Sequence, residues 1–283
     1  MNQLFPRRTL EYTIKVLRPY MERTECEAIA YMILEHVFKL SRIDVIIDSP
    51  FVGTEAQHLK YEVIINRLSD YEPIQYILKQ ADFFGRSFYV NSNVLIPRQE
   101  TESLIALIKN IKPWHRPKIA DIGTGSGCIA CTLYHEIPKS EVHAFDISYD
   151  ALKVANKNSA RLHCDIQLHE LDILKQNLPE DFDVIVSNPP YVTNKERKQM
   201  KRNVLNYEPH GALFVPDEDP LLYYRTIVEE CHISLKKMGM LFFEINEHYG
   251  QETLNLLYQN GFVQPQIHFD LNEKPRFVSG IKT

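Results

Sequence analysis

The chain has 283 residues, which predicts about two domains and leaves room for a sizeable core. Apolar residues make up 44% and charged residues 24%, as is ordinary for a globular protein. The formal net charge is −5 and the sequence pI is about 6.1. The chain therefore has no general excess of basic residues with which to bind nucleic acid, although the local basic patch from Lys195 to Arg202 is compatible with such binding.

The N-terminal sequence has no apolar signal-peptide core, and no run approaches the ~18 apolar residues of a membrane span. We therefore expect a cytoplasmic protein without a membrane partner. The five cysteines do not suggest a disulfide framework. Cys128 and Cys131 form a C-x-x-C pair inside a helical segment, and no second pair completes a zinc site, so packing is the favoured explanation.

Residues 1–80 have a helical apolar spacing and predict a small all-helical domain. Thr24 and Glu27 have the spacing of a capping box at the start of its second helix. The segment shows no convergent set of Asp, His or Cys, so binding or packing is the expected role.

Residues 81–97 change to a β-type pattern. Two short runs, residues 83–90 and 94–96, flank the turn residues Asn91, Ser92 and Asn93. The pattern predicts a β-hairpin that links two domains.

Residues 98–283 alternate between strand-like and helical stretches. The strand-like runs are residues 118–122, 142–147, 166–171, 183–187, 240–245 and 263–269. The helical stretches are residues 100–109, 127–135, 149–162, 220–236 and 249–260. This alternation predicts an α/β domain with a mostly parallel sheet, whose ligands lie at the carboxyl ends of the strands.

The first of these strands leads into a glycine loop, Gly123-Thr124-Gly125-Ser126-Gly127. Glycines tolerate positive φ and let a ligand approach the backbone closely, so we expect this loop to bind a cofactor. Cys128 occupies the position where a dinucleotide fingerprint needs its last small residue, which disfavours a nicotinamide cofactor.

Two further strand ends carry candidate cofactor residues. Asp146 ends the second strand, where a carboxylate can accept hydrogen bonds from both ribose hydroxyls of a nucleoside; capping the next helix is the alternative. Asp172 follows the third strand and could accept from an adenine amino group, while Ile173 covers the ring. A simple turn aspartate explains Asp172 equally well. Together with the glycine loop, these residues predict a nucleoside pocket.

The fourth strand ends in Asn188-Pro189-Pro190-Tyr191. If the cofactor is S-adenosylmethionine, the Asn188 side-chain oxygen and the Pro189 carbonyl can each accept one N–H from a planar acceptor nitrogen and stabilise its developing charge. The two prolines make this clamp rigid, and Tyr191 could stack on the acceptor. We therefore predict Asn188 and Pro189 as catalytic residues, Asn188 to Tyr191 as substrate-binding residues, and Asn188 also as a cofactor contact.

These motifs resemble those of the release factor glutamine methyltransferases, the HemK-type family. The resemblance covers most of the chain. Its pieces are residues 73–78, Phe83-Phe84-Gly85, residues 95–102 (LIPRQETE), the GTGSG loop, Asn188-Pro189-Pro190-Tyr191, Tyr207-Glu208-Pro209 and Arg276-Phe277. The sequence departs from the family pattern at residues 215–220 and at Asn246, where glycines are usual, and at Ile173, which is aromatic in some relatives.

The resemblance implies a Rossmann-like, class I S-adenosylmethionine-dependent methyltransferase domain, residues 98–283, with a seven-stranded, mostly parallel sheet. It also implies a helical domain, residues 1–80, that helps to recognise the substrate, and a β-hairpin linker, residues 81–97. The implied reaction is methylation of the side-chain nitrogen, N5, of the glutamine in the Gly-Gly-Gln motif of peptide chain release factors. The implied cofactor contacts are the residues Gly123 to Gly127, Asp146 and Asn188.

Two alternatives remain. An amino methyltransferase acting on a base of RNA or DNA could use the same clamp on a flipped or unpaired base, but the acidic charge balance and the first 80 residues do not favour it. A non-catalytic protein that kept the fold is disfavoured by the intact loop, Asp146 and clamp. Arg98, Glu100 and Glu102, between the linker and the sheet, are expected to form a salt-bridged hinge, with a share in shaping the pocket as the alternative, and Glu208 is expected to be similar. The histidines show no metal-binding spacing.

Overall fold

The structure is a computed structural model that describes residues 3–111, 114–270 and 273–283. These residues form two compact units, one of residues 1–79 with 202–207 and the other of residues 80–201 with 208–283. The hairpin region therefore packs within the second unit, and a short helix late in the chain belongs to the first. No helix in the described ranges is long and apolar enough to cross a membrane.

The α-helices are α1 (Pro6–Leu17), α2 (Arg23–Ile33), α3 (Arg42–Ile47), α4 (Glu55–Ser69), α5 (Ile74–Leu78), α6 (Gln99–Ile111), α7 (Cys128–Glu136), α8 (Tyr149–Leu162), α9 (Arg202–Tyr207), α10 (Leu222–Ser234) and α11 (Gly250–Gln259). The strands are β1 (Ala81–Phe83), β2 (Arg86–Phe88), β3 (Lys118–Ile122), β4 (Glu141–Asp146), β5 (Ile166–Glu170), β6 (Phe182–Ser187), β7 (Val192–Thr193), β8 (Phe214–Val215), β9 (Leu235–Glu244), β10 (Phe262–Phe269) and β11 (Pro275–Lys282).

The first unit is helical, as its apolar spacing predicts, with a core that includes Leu17, Ile33 and Leu68. The expected capping box at Thr24 and Glu27 is wrong, because α2 begins at Arg23 and its N-cap residue Glu22 makes no side-chain cap. Thr24 lies inside the first turn, where its hydroxyl cannot serve as the N-cap. Capping boxes instead begin α3, at Ser41, and α4, at Thr54.

The hairpin lies earlier in the chain than expected. β1 and β2 pair antiparallel, and their two-residue turn consists of Phe84 and Gly85, with φ of 48° and 71°. Positive φ at both turn residues matches the right-handed twist of a hairpin, and Gly85 adopts it without steric cost. The expected strand at residues 94–96 is wrong, since these residues form no strand.

The second unit is built on a seven-stranded sheet in the order β10-β11-β9-β6-β3-β4-β5. Only β11 runs against its neighbours, β9 and β10, so the prediction of a mostly parallel sheet is confirmed. One apolar core packs α6 and α7 on the sheet, with Cys128 and Cys131 among its buried residues, and a second packs α10 and α11. The carboxyl ends of β3, β4, β5 and β6 consequently meet at one edge.

Candidate active site

A cavity of about 550 Å³ lies at this edge and is lined by the segments that follow β3, β4, β5 and β6. Its volume is in the usual range for a small-molecule site. The glycine loop, Asp146, Asp172, Ile173, Asn188, Pro189 and Pro190 all contribute to its lining, apart from Gly127. The structure thus brings together at one cavity most of the residues that the sequence analysis selected.

The last two glycines of the loop are needed for different reasons. Gly125 and Gly127 have φ of 54° and 77°, a region that favours glycine. A Cβ at Gly125 would meet no atom within 4 Å, whereas one at Gly127 would lie 3.2 Å from the Ala155 Cβ of α8. Gly125 therefore leaves room on the open side of the loop, and Gly127 lets the loop pack against α8.

Asp121, two residues before the glycine loop, binds the loop and the start of α7 through its side chain. Its Oδ2 accepts hydrogen bonds from the Thr124 hydroxyl, at 2.6 Å, and from the Ala130 N–H of α7, at 3.1 Å. Its Oδ1 is buried and has no hydrogen-bond partner among the described residues. Burial raises the pKa of this carboxyl from 3.8 to about 7. Asp121 was not among the site residues predicted from the sequence, although its place just before a glycine loop was a usable signal.

Asp146 fixes the other side of the loop. Its Oδ2 accepts from the Gly125 N–H at 2.8 Å, and its Oδ1 accepts from the Ser148 N–H at 2.9 Å. Burial raises the pKa of Asp146, while these two hydrogen bonds lower it. The N-cap of α8 is Ser148, whose hydroxyl accepts from the Ala151 N–H, so the capping alternative for Asp146 is wrong. Asp146 instead positions the glycine loop and faces the cavity.

The segment Asn188 to Pro190 forms the wall of the cavity after β6. The side-chain amide of Asn188 is half-buried and forms no hydrogen bond with other described residues, so it keeps its full capacity to bind a ligand. Pro189 and Pro190 have no N–H and a fixed φ, which limits the motion of the carbonyls beside Asn188.

Tyr191 does not line the cavity. Its hydroxyl donates to Glu244 Oε1 at 3.2 Å. Its ring packs against the apolar core that includes the buried residues of α10. Burial and the neighbouring Glu244 carboxylate raise the pKa of Tyr191. Glu244 also accepts from the Thr101 hydroxyl at 2.6 Å. Contact between Tyr191 and an acceptor stays a prediction; in the structure, the side chain anchors the end of the clamp.

Comparisons with known proteins found a matching family model in each of the two units. The family model described as Methyltransferase small domain matches residues 100–210, and the PrmC N-terminal domain matches residues 10–78. A release factor glutamine methyltransferase from Flavobacterium psychrophilum is 43% identical, over 94% of this chain and 95% of the relative. The protein of the same name from Bacteroides thetaiotaomicron is 38% identical, over 96% and 98% respectively.

The chain belongs to the release factor glutamine methyltransferases. This confirms the family that the sequence motifs indicated, and the relatives are matched along nearly their whole length. Among solved structures, a methyltransferase from Pyrococcus furiosus has a TM-score of 0.52 at 16% identity, covering 81% of this chain and 99% of that one. That likeness supports the fold alone.

In this release factor glutamine methyltransferase, Asp172 is engaged locally. Its Oδ2 pairs with Lys175 Nζ at 2.8 Å and its Oδ1 accepts from the Leu174 N–H at 3.1 Å. The hydrogen bond from Lys175 lowers the pKa of Asp172. The structure therefore shows the turn role that was the alternative for Asp172, while the side chain still lines the cavity.

Other residues that line the cavity of the methyltransferase were not predicted from the sequence. Ile147 follows Asp146 and is 62% exposed, and Tyr223 reaches the cavity from α10. Burial raises the pKa of Tyr223, and the nearby Asp172 adds to this shift. The position of Ile147 directly after the candidate ribose carboxylate was a usable signal. No sequence signal pointed to Tyr223, because its helix is distant in sequence from the strand ends that line the cavity.

The charged residues around the start of α6 follow the expectation in part, because Arg98 and Glu208 form an ion pair while Glu102 binds a backbone N–H. Arg98 also lines the cavity. Arg98 pairs with the buried Glu208 at 2.7 Å, and Glu208 also accepts from the Ile96 N–H at 3.2 Å. Glu102 accepts from the Phe84 N–H at 2.9 Å. These contacts fix the segment that leads into α6, which contributes Thr101 to the cavity lining.

Proposed function

We propose that this enzyme transfers a methyl group from S-adenosylmethionine to the N5 side-chain nitrogen of the glutamine in the Gly-Gly-Gln motif of peptide chain release factors. One observation carries the proposal: the unpaired Asn188 amide and Pro189 line the same cavity as the glycine loop and Asp146. The names of the two relatives supply the class of substrate.

The residues present fit S-adenosylmethionine. The open side of Gly125 leaves space for a ligand, the Asp146 carboxylate can accept from ribose hydroxyls, and Ile147 and Ile173 are apolar surfaces for an adenine ring. We assign cofactor contacts to Gly123, Thr124, Gly125, Ser126, Asp146, Asp172, Ile173 and Asn188, all of which line the cavity, whereas Gly127 packs the loop on α8. When bound, the cofactor supplies an electrophilic methyl group on a sulfonium.

The clamp binds and orients the acceptor. A carboxamide nitrogen is a weak nucleophile because its lone pair is delocalised into the carbonyl. The Asn188 side-chain oxygen and the Pro189 carbonyl each accept one N–H of the glutamine amide and hold its nitrogen towards the methyl donor. The same two oxygens stabilise the positive charge that develops on the nitrogen. The methylated nitrogen is acidic and loses a proton to water, so no general base is required.

The helical unit, including residues 10–78, helps to recognise the release factor in this proposal. The model described as PrmC N-terminal domain matches those residues. The substrate is a protein, so neither nucleic acid nor membrane is required as a direct partner, and the reaction takes place in the cytoplasm, where translation ends.

A methyl-transfer assay tests the proposal. The purified enzyme is given isotope-labelled S-adenosylmethionine with release factor, ribosomal RNA or DNA in separate reactions, and the products are identified by mass spectrometry. We expect one methyl on the Gly-Gly-Gln glutamine, and none with Asn188→Ala enzyme or with a release factor whose motif glutamine is replaced by glutamate. Methyl transfer to nucleic acid alone would assign the enzyme to base modification instead.

A further inference from the structure

Asn246, which follows β9, binds the last residue of the clamp. The Asn246 Nδ2 donates to the backbone carbonyl of Tyr191 at 3.0 Å, across 55 positions of sequence. It also donates to both carboxylate oxygens of Glu196, at 3.1 Å each. Asn246 is 5% exposed, so these hydrogen bonds are shielded from water.

The topology of the sheet explains why these residues meet. β6 and β9 are parallel neighbours, with Ser187 opposite Phe243. The residues that follow β6, including the clamp, therefore run beside the residues that follow β9, including Glu244 and Asn246. Tyr191 is held by both, since its backbone carbonyl accepts from Asn246 and its hydroxyl donates to Glu244.

The orientation of the Asn246 amide is fixed by its partners. Its Oδ1 accepts from the His248 N–H at 3.0 Å, while its NH₂ group faces a carbonyl and a carboxylate. Rotating the amide by 180° would place its oxygen against two acceptors. One hydrogen of the NH₂ group is thus committed to Tyr191 and the other to Glu196.

Capping alone does not account for this residue. The backbone of Asn246, with φ of −65° and ψ of 131°, is open to any residue, and Ser or Asp would cap the following turn as well. Asparagine combines a cap with two donors, one of which points to Tyr191 at the end of the clamp and the other to Glu196 in the segment that follows it. The choice of side chain is therefore explained by the bridge to Tyr191 and Glu196.

Glu196 extends the bridge along the chain. Its Oε2 accepts from the N–H and from the hydroxyl of Thr193, at 2.8 Å each. Thr193 belongs to β7, which pairs in parallel with β8, and the Val192 N–H donates to the Leu213 carbonyl at 2.9 Å. Residues 191–193 are consequently fixed by both side chain and backbone.

We infer that Asn246 and Glu196 are positioning residues for methyl transfer, which set the direction of the Asn188 and Pro189 oxygens by fixing Tyr191 and Thr193. This inference rests on the proposed function. Loss of the bridge lets the clamp rotate without removing any group that touches the cofactor or the acceptor. A small displacement of reacting groups has a large effect on rate.

The test compares Asn246→Ser with wild type in the release factor assay. Serine keeps the cap on the His248 N–H and loses the bridge. We expect kcat to fall about tenfold. The KM for release factor, the Kd for S-adenosylmethionine by calorimetry and the thermal midpoint should each change little. Glu247→Gln is the matched control, because it lies in the same turn, breaks an ion pair with Lys274 and should retain wild-type kcat.

Glu196→Ala should lower kcat by a similar factor, and the loss in the double variant Asn246→Ser/Glu196→Ala should be smaller than the product of the two single losses, because both substitutions remove the same Asn246–Glu196 hydrogen bonds. Wild-type kcat in Asn246→Ser would overturn the inference, as would independent, multiplying losses in the double variant. A wild-type enzyme that does not methylate release factor would instead refute the proposed function.

Discussion

The Gly125 N–H donates a hydrogen bond to Asp146 Oδ2 at 2.8 Å, which ties the glycine loop after β3 to the end of β4. The same carboxylate accepts from the Ser148 N–H with its other oxygen. Asp146 therefore shapes the loop at the cavity, and the proposed function adds a second role, as an acceptor for the cofactor ribose.

Asp146→Ala is expected to weaken S-adenosylmethionine binding about tenfold to hundredfold, because hydrogen bonds to a charged group are lost and the loop is released. Isothermal titration calorimetry measures this Kd. The control is Asp150→Asn, at an exposed aspartate of α8 that pairs with Lys153, which should bind the cofactor as wild type does. Normal cofactor binding by Asp146→Ala would show that the carboxylate has no part in the cofactor site.

Asn188→Ala is expected to lower kcat about hundredfold or more, since one of the two oxygens that orient and stabilise the acceptor nitrogen is lost. The free energy of unfolding should change by less than about 0.5 kcal/mol, because the side chain makes no hydrogen bond with other described residues. Single-turnover kinetics and urea unfolding measure the two quantities. Wild-type turnover in this variant would exclude the clamp mechanism.

Tyr191→Phe is expected to lower the free energy of unfolding by about 1–3 kcal/mol, because the buried Glu244 Oε1 loses its donor. The phenyl ring is kept, so the KM for release factor should remain within about twofold. Urea unfolding checks the first result, with Tyr12→Phe, at a tyrosine that is 60% exposed, as the control. Equal loss in both variants would mean that the hydroxyl of Tyr191 makes no special contribution.

Asp121→Asn is expected to change how stability depends on pH. Burial raises the pKa of Asp121 from 3.8 to about 7, so the folded state holds this proton more tightly than the unfolded state. The resulting stabilisation is fully present below about pH 3.8 and is lost as the pH rises through about 7. Asparagine imitates the protonated acid and does not titrate.

The unfolding free energy of Asp121→Asn should therefore improve relative to wild type as the pH is raised from about 5 to about 8. Urea unfolding of both proteins at several pH values in this range gives the difference, in which the titration of the other groups cancels. A difference that stays constant with pH would mean that the pKa of Asp121 is close to that of the unfolded chain.

The alternating part of the fold was predictable because its signals are local. β3 and α8 have the expected bounds, 118–122 and 149–162, and the other predicted helices and strands of the sheet lie within a few residues of their expected positions. The hairpin was misplaced because its turn at Phe84 and Gly85 is short, while Asn91 to Asn93 have typical turn residues without forming a hairpin. β11 did not stand out as a run in the sequence, and the seventh strand was implied only by the family resemblance.

The candidate site likewise has one part that local sequence determined and another that only the tertiary structure decided. The sequence by itself determined the glycine loop, the carboxylate at the end of β4 and the rigid segment after β6, because φ preferences and strand ends depend on residues a few positions apart. Only the tertiary structure decided that Tyr191 faces Glu244, that Tyr223 reaches the cavity and that Asn246 bonds to the clamp. Tyr191 and Asn246 are 55 positions apart and meet only because β6 and β9 are parallel neighbours, a pairing that depends on the packing of the whole sheet.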